Sequence, residues 1–328
     1  MFKGKRFYLI IFSSILVLLL VALSMAGCKT SAKAAVSGPE IKTADITVGI
    51  IVEAMGNEWF QEMIAAAKDE AAKQGVTLLI ESSEWDPAKE TQIFEDWISK
   101  GVDAIAVSLA QEAATRGNIW KATLAGIPVI TNILEIRNAP QSTVIKFDNY
   151  GASYALGQYA ADYFTANMAG EKATLAVLDL PIYQSCVDRA EGFVAGFQSK
   201  IADAKVVATQ NAEGTMDKGM AMTETILQSN PEVNVIRGIN DPCALGAASA
   251  VEAANAKAIV FGFDGANDAI VAVAKGGAFK CTVMVSAKDM GTLTLQGLVK
   301  LVKGEDVTFW QYVPFDLVTS ENVAKFQK

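Results

Sequence analysis

Short apolar runs and amphipathic stretches alternate along most of the chain. Ile46–Val52 (ITVGIIV) is apolar and β-branched, the pattern of a buried strand. From Asn57 onward, Phe60, Ile64, Ala67 and Ala71 recur at helical spacing, and Gly75 stands where a left-handed cap closes a helix. Val76–Ile80 predicts the next strand. Asp86-Pro87 predicts a helix start, with aspartate as N-cap and proline in the first turn, and the helix runs to Lys100-Gly101. The same rhythm predicts strands at Val102–Ser108, Ile127–Thr131, Thr143–Phe147, Thr174–Asp179, Lys205–Thr209, Val233–Gly238, Ala258–Phe263 and Cys281–Val285. Between them it predicts helices over Ala110–Ala125, Gly151–Asn167, Ser185–Lys200, Asp217–Ser229, Ala244–Asn255, Asn267–Lys275 and Met290–Lys303, then an extended tail at Thr308–Val318.

Strands apolar along nearly their whole length, separated by helices, form parallel sheets covered on both faces. Right-handed crossovers make such sheets doubly wound. The 328 residues have room for two lobes of this α/β class. Ligands of such sheets sit beyond the carboxyl ends of the strands. Two facing lobes then create one small-molecule cleft.

The first residues follow another pattern. Lys3, Lys5 and Arg6 precede an uncharged run from Phe7 to Leu23 in which Ser13 and Ser14 interrupt the apolar residues, and Ser24-Met25-Ala26-Gly27-Cys28 follows. A basic start, an apolar run and small residues before a cleavage point read as a secretory signal over residues 1–27. A retained transmembrane helix is the alternative, although this run is at the short end of what spans a bilayer. Ala26-Gly27-Cys28 resembles a bacterial lipobox, with Met25 where leucine is commoner. That resemblance implies diacylation of Cys28, and two acyl chains anchor a protein stably. Lys29–Ala44 is small, polar and aperiodic and reads as a tether.

Composition narrows the chemistry. There are 28 basic and 36 acidic residues, so nucleic acid is not the expected partner. Removing the signal leaves 25 basic against 36 acidic residues, a net charge of −11. The chain has no histidine, which excludes Ser-His and Cys-His nucleophiles and histidine-ligated zinc. Cys186, Cys243 and Cys281 remain beyond Cys28; an odd set cannot all pair within one chain, and small apolar fillers are the expected role. Gly276-Gly277 and Gly262-x-x-Gly265 lack the spacing of nucleotide loops. No metal or cofactor is expected.

The residues at strand ends point to function. Asn57, Trp59 and Phe60 follow the first strand. Rings that stack on C–H faces, with an amide beside them, suit a sugar; the alternative is that the rings fill the core. Asn132, Arg189, Asn240 and Asp264 also stand at strand ends or helix starts. Each can be read as a cap or turn residue. Their recurrence in both halves favours a ligand role.

Gly262-Phe263-Asp264-Gly265, Asn240-Asp241 before Ala244-Leu245-Gly246-Ala247, Asp148-Asn149 opening a helix, and Asp86-Pro87-Ala88-Lys89 together resemble the type I periplasmic binding proteins of the ribose and galactose class, solute receptors of ABC importers. The resemblance spans roughly Ile46 to Val318. It implies two doubly wound lobes joined by a three-segment hinge that closes on the ligand, with crossings near Phe147-Asp148, Val285-Ser286 and Phe315-Asp316. One lobe would comprise residues 46–147 and 286–315, the other 148–285 and 316–328, after a tether at 28–45. The implied ligand contacts are Asn57, Trp59, Phe60, Arg189, Asn240 and Asp264, with Asn132 beside them. The implied partners are a sugar or polyol, ABC permease subunits and, through the lipid anchor, the outer face of a membrane; the receptor is expected to be a monomer. A sensor kinase or chemotaxis partner is the alternative to a permease, and a secreted carbohydrate enzyme on the same fold is a further one.

The chain departs from the ribose-type pattern. Ile133-Leu134 stand where an Asp-Arg pair is usual, Val285 where glutamine is common, and an aromatic is missing near Gly214. Ribose hydroxyls left unmatched there would be desolvated at about 1–3 kcal/mol each. The expected ligand is therefore sugar-like or polyol-like but not ribose, with Glu53, Asn132, Glu135 or Arg137 as compensating groups.

Overall fold

The computed structural model describes residues 45–327. The apolar N-terminal run, Cys28 and the tether up to Ala44 lie outside the described residues.

Six parallel strands form the first sheet: β1 (Thr47–Val52), β2 (Thr77–Ser82), β3 (Ala104–Val107), β4 (Val129–Asn132), β5 (Thr143–Phe147) and β11 (Trp310–Val313), in the order β11-β5-β4-β3-β1-β2. On one face lie α1 (Glu58–Gln74) and α9 (Ala287–Val302), which bury Phe60, Met63, Ile64, Leu295 and Leu298. On the other, α2 (Pro87–Lys100) and α3 (Glu112–Leu124) bury Phe94, Trp97, Ile119 and Ala122.

The second sheet has β6 (Thr174–Asp179), β7 (Lys205–Asn211), β8 (Val235–Gly238), β9 (Ile259–Asp264), β10 (Phe279–Val285) and β12 (Phe315–Thr319), in the order β12-β10-β9-β8-β6-β7. Here α4 (Asn149–Asn167) and α5 (Gln184–Gln198) cover one face with Leu156, Phe164, Phe193 and Phe197. The other face carries α6 (Met216–Ser229), α7 (Asp241–Ala253) and α8 (Asn267–Lys275), through Ile226, Ala247, Val251, Ile270 and Val273. Each sheet is thus doubly wound, as the apolar strand pattern predicts.

The chain passes between the lobes at Phe147-Asp148, at Val285-Ser286 and at Pro314. All three passages leave the carboxyl edge of the first sheet's parallel strands or of β10, so the two carboxyl edges face each other. Pro314 has no N–H to give a ladder, and it splits the expected tail into β11 and β12. Having left the first sheet at its carboxyl edge, β12 enters the second sheet there and runs antiparallel to β10, with Phe315 opposite Val285. Phe315 therefore belongs to the second lobe, one residue earlier than expected.

Helix starts explain the other shifts of boundary. Asn57, Asp86, Asp148, Thr215, Asn240 and Ser286 each accept a backbone N–H of the helix they precede, satisfying donors that a first turn cannot pair internally. Ser286 starts α9 at Ala287 rather than Met290, and Asn240 starts α7 at Asp241 rather than Ala244. Among the described residues no helix is long and apolar enough to cross a membrane.

The α4–α5 contact is close enough that a Cβ on Gly196 would strike the Tyr154 carbonyl. Gly117, by contrast, lies exposed within α3 with open space around it. Gly196→Ala is expected to cost about 1–3 kcal/mol through overpacking. Gly117→Ala is expected to stabilise by about 0.5–1 kcal/mol, because alanine is the better helix former. Urea unfolding of the two variants beside the parent checks both signs.

Candidate functional site

The carboxyl edge of the second sheet gathers a set of charged groups. Asp264 ends β9 with φ at 122°, a backbone conformation costly for a side-chain-bearing residue. Arg189, in the second turn of α5, donates through Nη1 to Asp264 Oδ1 at 3.0 Å. Its Nε donates to Asn149 Oδ1 at 2.8 Å, Nη1 also reaches the Ile239 carbonyl at 3.4 Å, and the guanidinium lies 3.8 Å over the Phe263 ring. The guanidinium is thus held by an anion, an amide, a carbonyl and an aromatic face. Arg189 Nη2 and Asp264 Oδ2 carry no hydrogen bond among the described residues. The Asp264 side chain keeps 41% of its surface exposed, against 14% for Arg189. A hydroxyl placed there can accept from the guanidinium and donate to the carboxylate, both charge-assisted.

Asn240 serves the start of α7. Its Oδ1 accepts from Cys243 N at 3.1 Å and its Nδ2 donates to the Gly214 carbonyl at 2.9 Å, which leaves one amide hydrogen. In the first lobe, Asn57 is exposed and its Oδ1 accepts from Trp59 N at 2.9 Å; its amide nitrogen stays uncommitted. The cap reading describes both asparagines, and neither cap uses up the side chain.

Trp59 is half-buried and meets Phe60 and Phe147 edge-on at 5.3 and 6.0 Å. Phe60 is 5% exposed within the core, so for this ring the core-filling alternative describes its place. Asn132 is 1% exposed; Thr294 Oγ1 donates to its Oδ1 at 3.0 Å, and its Nδ2 is buried without a partner. Asn132 is therefore not presented to solvent as the sequence suggests. Glu135 accepts from Trp310 Nε1 at 3.1 Å, which commits it to the β11 edge.

A cavity of about 300 Å³ lies where the lobes join. Trp59 and Glu62 of α1 line it from one side, Asp264 and Gly265 from the other, with Met284 and Val285 at the crossing. Its size is at the lower end of small-molecule sites. A larger groove of about 670 Å³, beside Tyr163 and Lys280, lies at the amino end of β9. That is the wrong end of the sheet for the groups described above.

Glu53, Asp241 and Arg237 are ionisable groups buried around these edges. Glu53, at the end of β1, has an unpartnered Oε2, and burial with Glu90 nearby pushes its carboxyl up to about 7. Asp241 is fully buried; desolvation, reinforced by Asp264, raises it to about 7. Arg237, on β8, is also fully buried, with Nε and Nη1 unpartnered and Nη2 3.4 Å from Ser153 Oγ. Desolvation and the neighbouring Arg189 lower it to about 9. Cys186, Cys243 and Cys281 are free thiols, each pushed above its ordinary value chiefly by burial. Among the described residues no cluster of histidine, cysteine and acidic side chains is arranged to hold a metal ion.

Sequence reasoning quoted Asp241 within the Asn240-Asp241 motif without giving it a role of its own, and gave none to Arg237. Asp241 precedes a proline at a helix start, where an acid reads as an ordinary first-turn residue; its contact with a turn 25 residues away leaves no local signal. Arg237 sits in a strand pattern that only its charge interrupts.

Comparison with known proteins gives a consistent set. A family model described as a periplasmic binding protein domain matches residues 48–306. The ribose import binding protein RbsB of Bacillus subtilis is 29% identical over 280 residues, covering 84% of this chain and 88% of that protein. The ABC transporter periplasmic-binding protein YphF of Escherichia coli is 31% identical over 271 residues, covering 79% and 80%. Among solved structures, an ABC transporter periplasmic solute binding protein from Actinobacillus succinogenes with bound D-allose is 26% identical, with a TM-score of 0.70, covering 85% of this chain and 99% of that one.

Glu53 and Asp241 set a pH dependence. A carboxyl whose pKa is higher in the fold than in the unfolded chain binds more protons when folded, so stability falls as pH rises from the ordinary carboxylate range through the folded value. The melting temperature is expected to be higher at pH 5.5 than at pH 7.5. Glu53→Gln is expected to flatten that slope and to raise the melting temperature at pH 8, which calorimetry across this window checks.

Proposed function

Because the chain belongs to the periplasmic binding protein family, we propose that it is the extracytoplasmic substrate-binding component of an ABC importer and captures a sugar or sugar-like ligand between its two lobes. The observation that carries this reading is the Arg189–Asp264 pair, which keeps an unused guanidinium N–H and an unused carboxylate oxygen, with Asp264 lining a cavity that Trp59 lines from the other lobe. A ring face and a charge-assisted donor–acceptor pair are what a hydroxylated ring needs. The relatives support the same chemistry: among them are ribose and D-apiose import binding proteins and a receptor with bound D-allose.

The protein works by binding and release, not by turnover. Asn57 and Asn240 supply further hydrogen bonds from the two sides through the amide hydrogens their caps leave free. Rotation about the three crossings closes the lobes on the ligand, and a permease reads the closed form. The ligand is not ribose: Ile133, Leu134 and Val285 offer no partner to hydroxyls that charged and amide groups would otherwise match. Cys28 carries the lipid that holds the monomer at its membrane.

Calorimetry with D-ribose, D-allose, D-apiose, other pentoses and hexoses, and myo-inositol tests the ligand class. At least one sugar or polyol other than ribose is expected to bind more tightly than ribose. Asp264→Ala or Arg189→Ala is expected to weaken it by roughly 10- to 100-fold, the scale of one or two charge-assisted hydrogen bonds. Ribose as the tightest ligand would refute the specificity, and unchanged affinity in both variants would refute the site. In cells, Cys28→Ala is expected to abolish incorporation of labelled palmitate and to move the protein from the membrane fraction to the soluble one; unchanged labelling would remove the anchor from the account.

A further inference from the structure

Asp264 combines a strained backbone with the exposed carboxylate on which ligand capture depends. A buried hydrogen-bonded group lies beneath the turn that follows it. Asp241 Oδ2 accepts from Ala266 N at 2.7 Å, and Asp241 Oδ1 accepts from Thr282 Oγ1 at 2.6 Å. The same Thr282 hydroxyl accepts from Gly265 N at 3.3 Å. The two peptide N–H groups that follow Asp264 are thereby tied, one directly and one through a hydroxyl, to a single buried carboxylate.

The sequence around this tie is shaped to admit it. A Cβ on Gly262 would collide with Asp241 Oδ1, so that glycine leaves the space the carboxylate occupies. Gly265 turns at φ +74° directly against Met284, where a Cβ has no room. Gly262-Phe263-Asp264-Gly265 is thus one device. Its first glycine makes room for the carboxylate, its phenylalanine carries the Arg189 guanidinium on its ring, and its last glycine completes the turn that the carboxylate holds.

We propose that Asp241 and Thr282 are positioning residues for ligand binding, fixing the Gly265-Ala266 backbone so that Asp264 is held in its strained conformation beside Arg189 before the ligand arrives. The inference rests on the reading of Asp264 as a ligand contact. Holding a contact group in place beforehand removes the cost of ordering it on binding. Neither residue touches the ligand: both are fully buried.

Thr282→Val is the decisive variant, because valine keeps the shape of threonine and removes only the hydroxyl. In the unliganded protein, hydrogen exchange at Gly265 and Ala266 is expected to rise at least tenfold in Thr282→Val, while the amides of β8 and β9 keep parental rates. With the tightest-binding sugar of the panel above, affinity is expected to fall about tenfold or more. Thr282→Ser, which restores the hydroxyl, is expected to recover exchange protection and affinity to within about threefold of the parent. Parental exchange and affinity in Thr282→Val, or equal weakness in Thr282→Ser, overturns the proposal. Asp264→Ala separates the two readings. If it abolishes binding while Thr282→Val does nothing, only the positioning role falls; if it binds like the parent, the cleft reading falls with it.

Discussion

A parallel strand that hands the chain to a helix leaves unpaired N–H groups at the helix start, and these need polar partners. In this protein that requirement is met again and again at the carboxyl edge of each sheet, by Asn57, Asp86, Asp148, Thr215, Asn240 and Ser286. The same edge therefore collects amides and carboxylates whatever the ligand is. Three chain crossings at that edge then turn the two collections toward each other. The polar character of that edge follows from the handover of strand to helix in a fold wound this way.

What distinguishes Asp264 from a cap is the capacity it has left. Asp86 spends one oxygen on two amides of its own helix, and nothing else converges on it. Asp264 caps nothing. It stands on a turn supported from below, pairs with one guanidinium nitrogen and keeps an oxygen free. Arg189 is fixed by Asn149, Ile239 and Phe263, so its remaining donor has a defined direction. Preorganised charge of this kind is worth more than the same groups on mobile side chains.

The fold was legible because its signals are local. Apolar runs, the Asp86-Pro87 start and the glycines at positions 75 and 101 mark elements within a few residues of themselves. The places of Arg189 at a helix start and Asp264 at a strand end were legible in the same local way, and the assembled sheet pairs them. Phe60 and Asn132 show the limit. A position near a strand end does not reveal whether the side chain turns to solvent or inward, and here both turn inward. Asp241 lay deeper still, because its partners come from β9 and β10, and only the assembled sheet brings them under its carboxylate.

The crossings also set how far different parts of the site can travel. They attach to β5 and β11 on one sheet and to β10 and β12 on the other, so the spine runs along one margin of each lobe. The opposite margin, at β2 in the first lobe, lies four strand spacings from β5, about 19 Å away. Any rotation about the spine therefore sweeps the β2 and β7 margins through long arcs and barely displaces Val285. In the closing motion proposed above, the residues beside the spine therefore keep nearly the same place while those at the far margins travel.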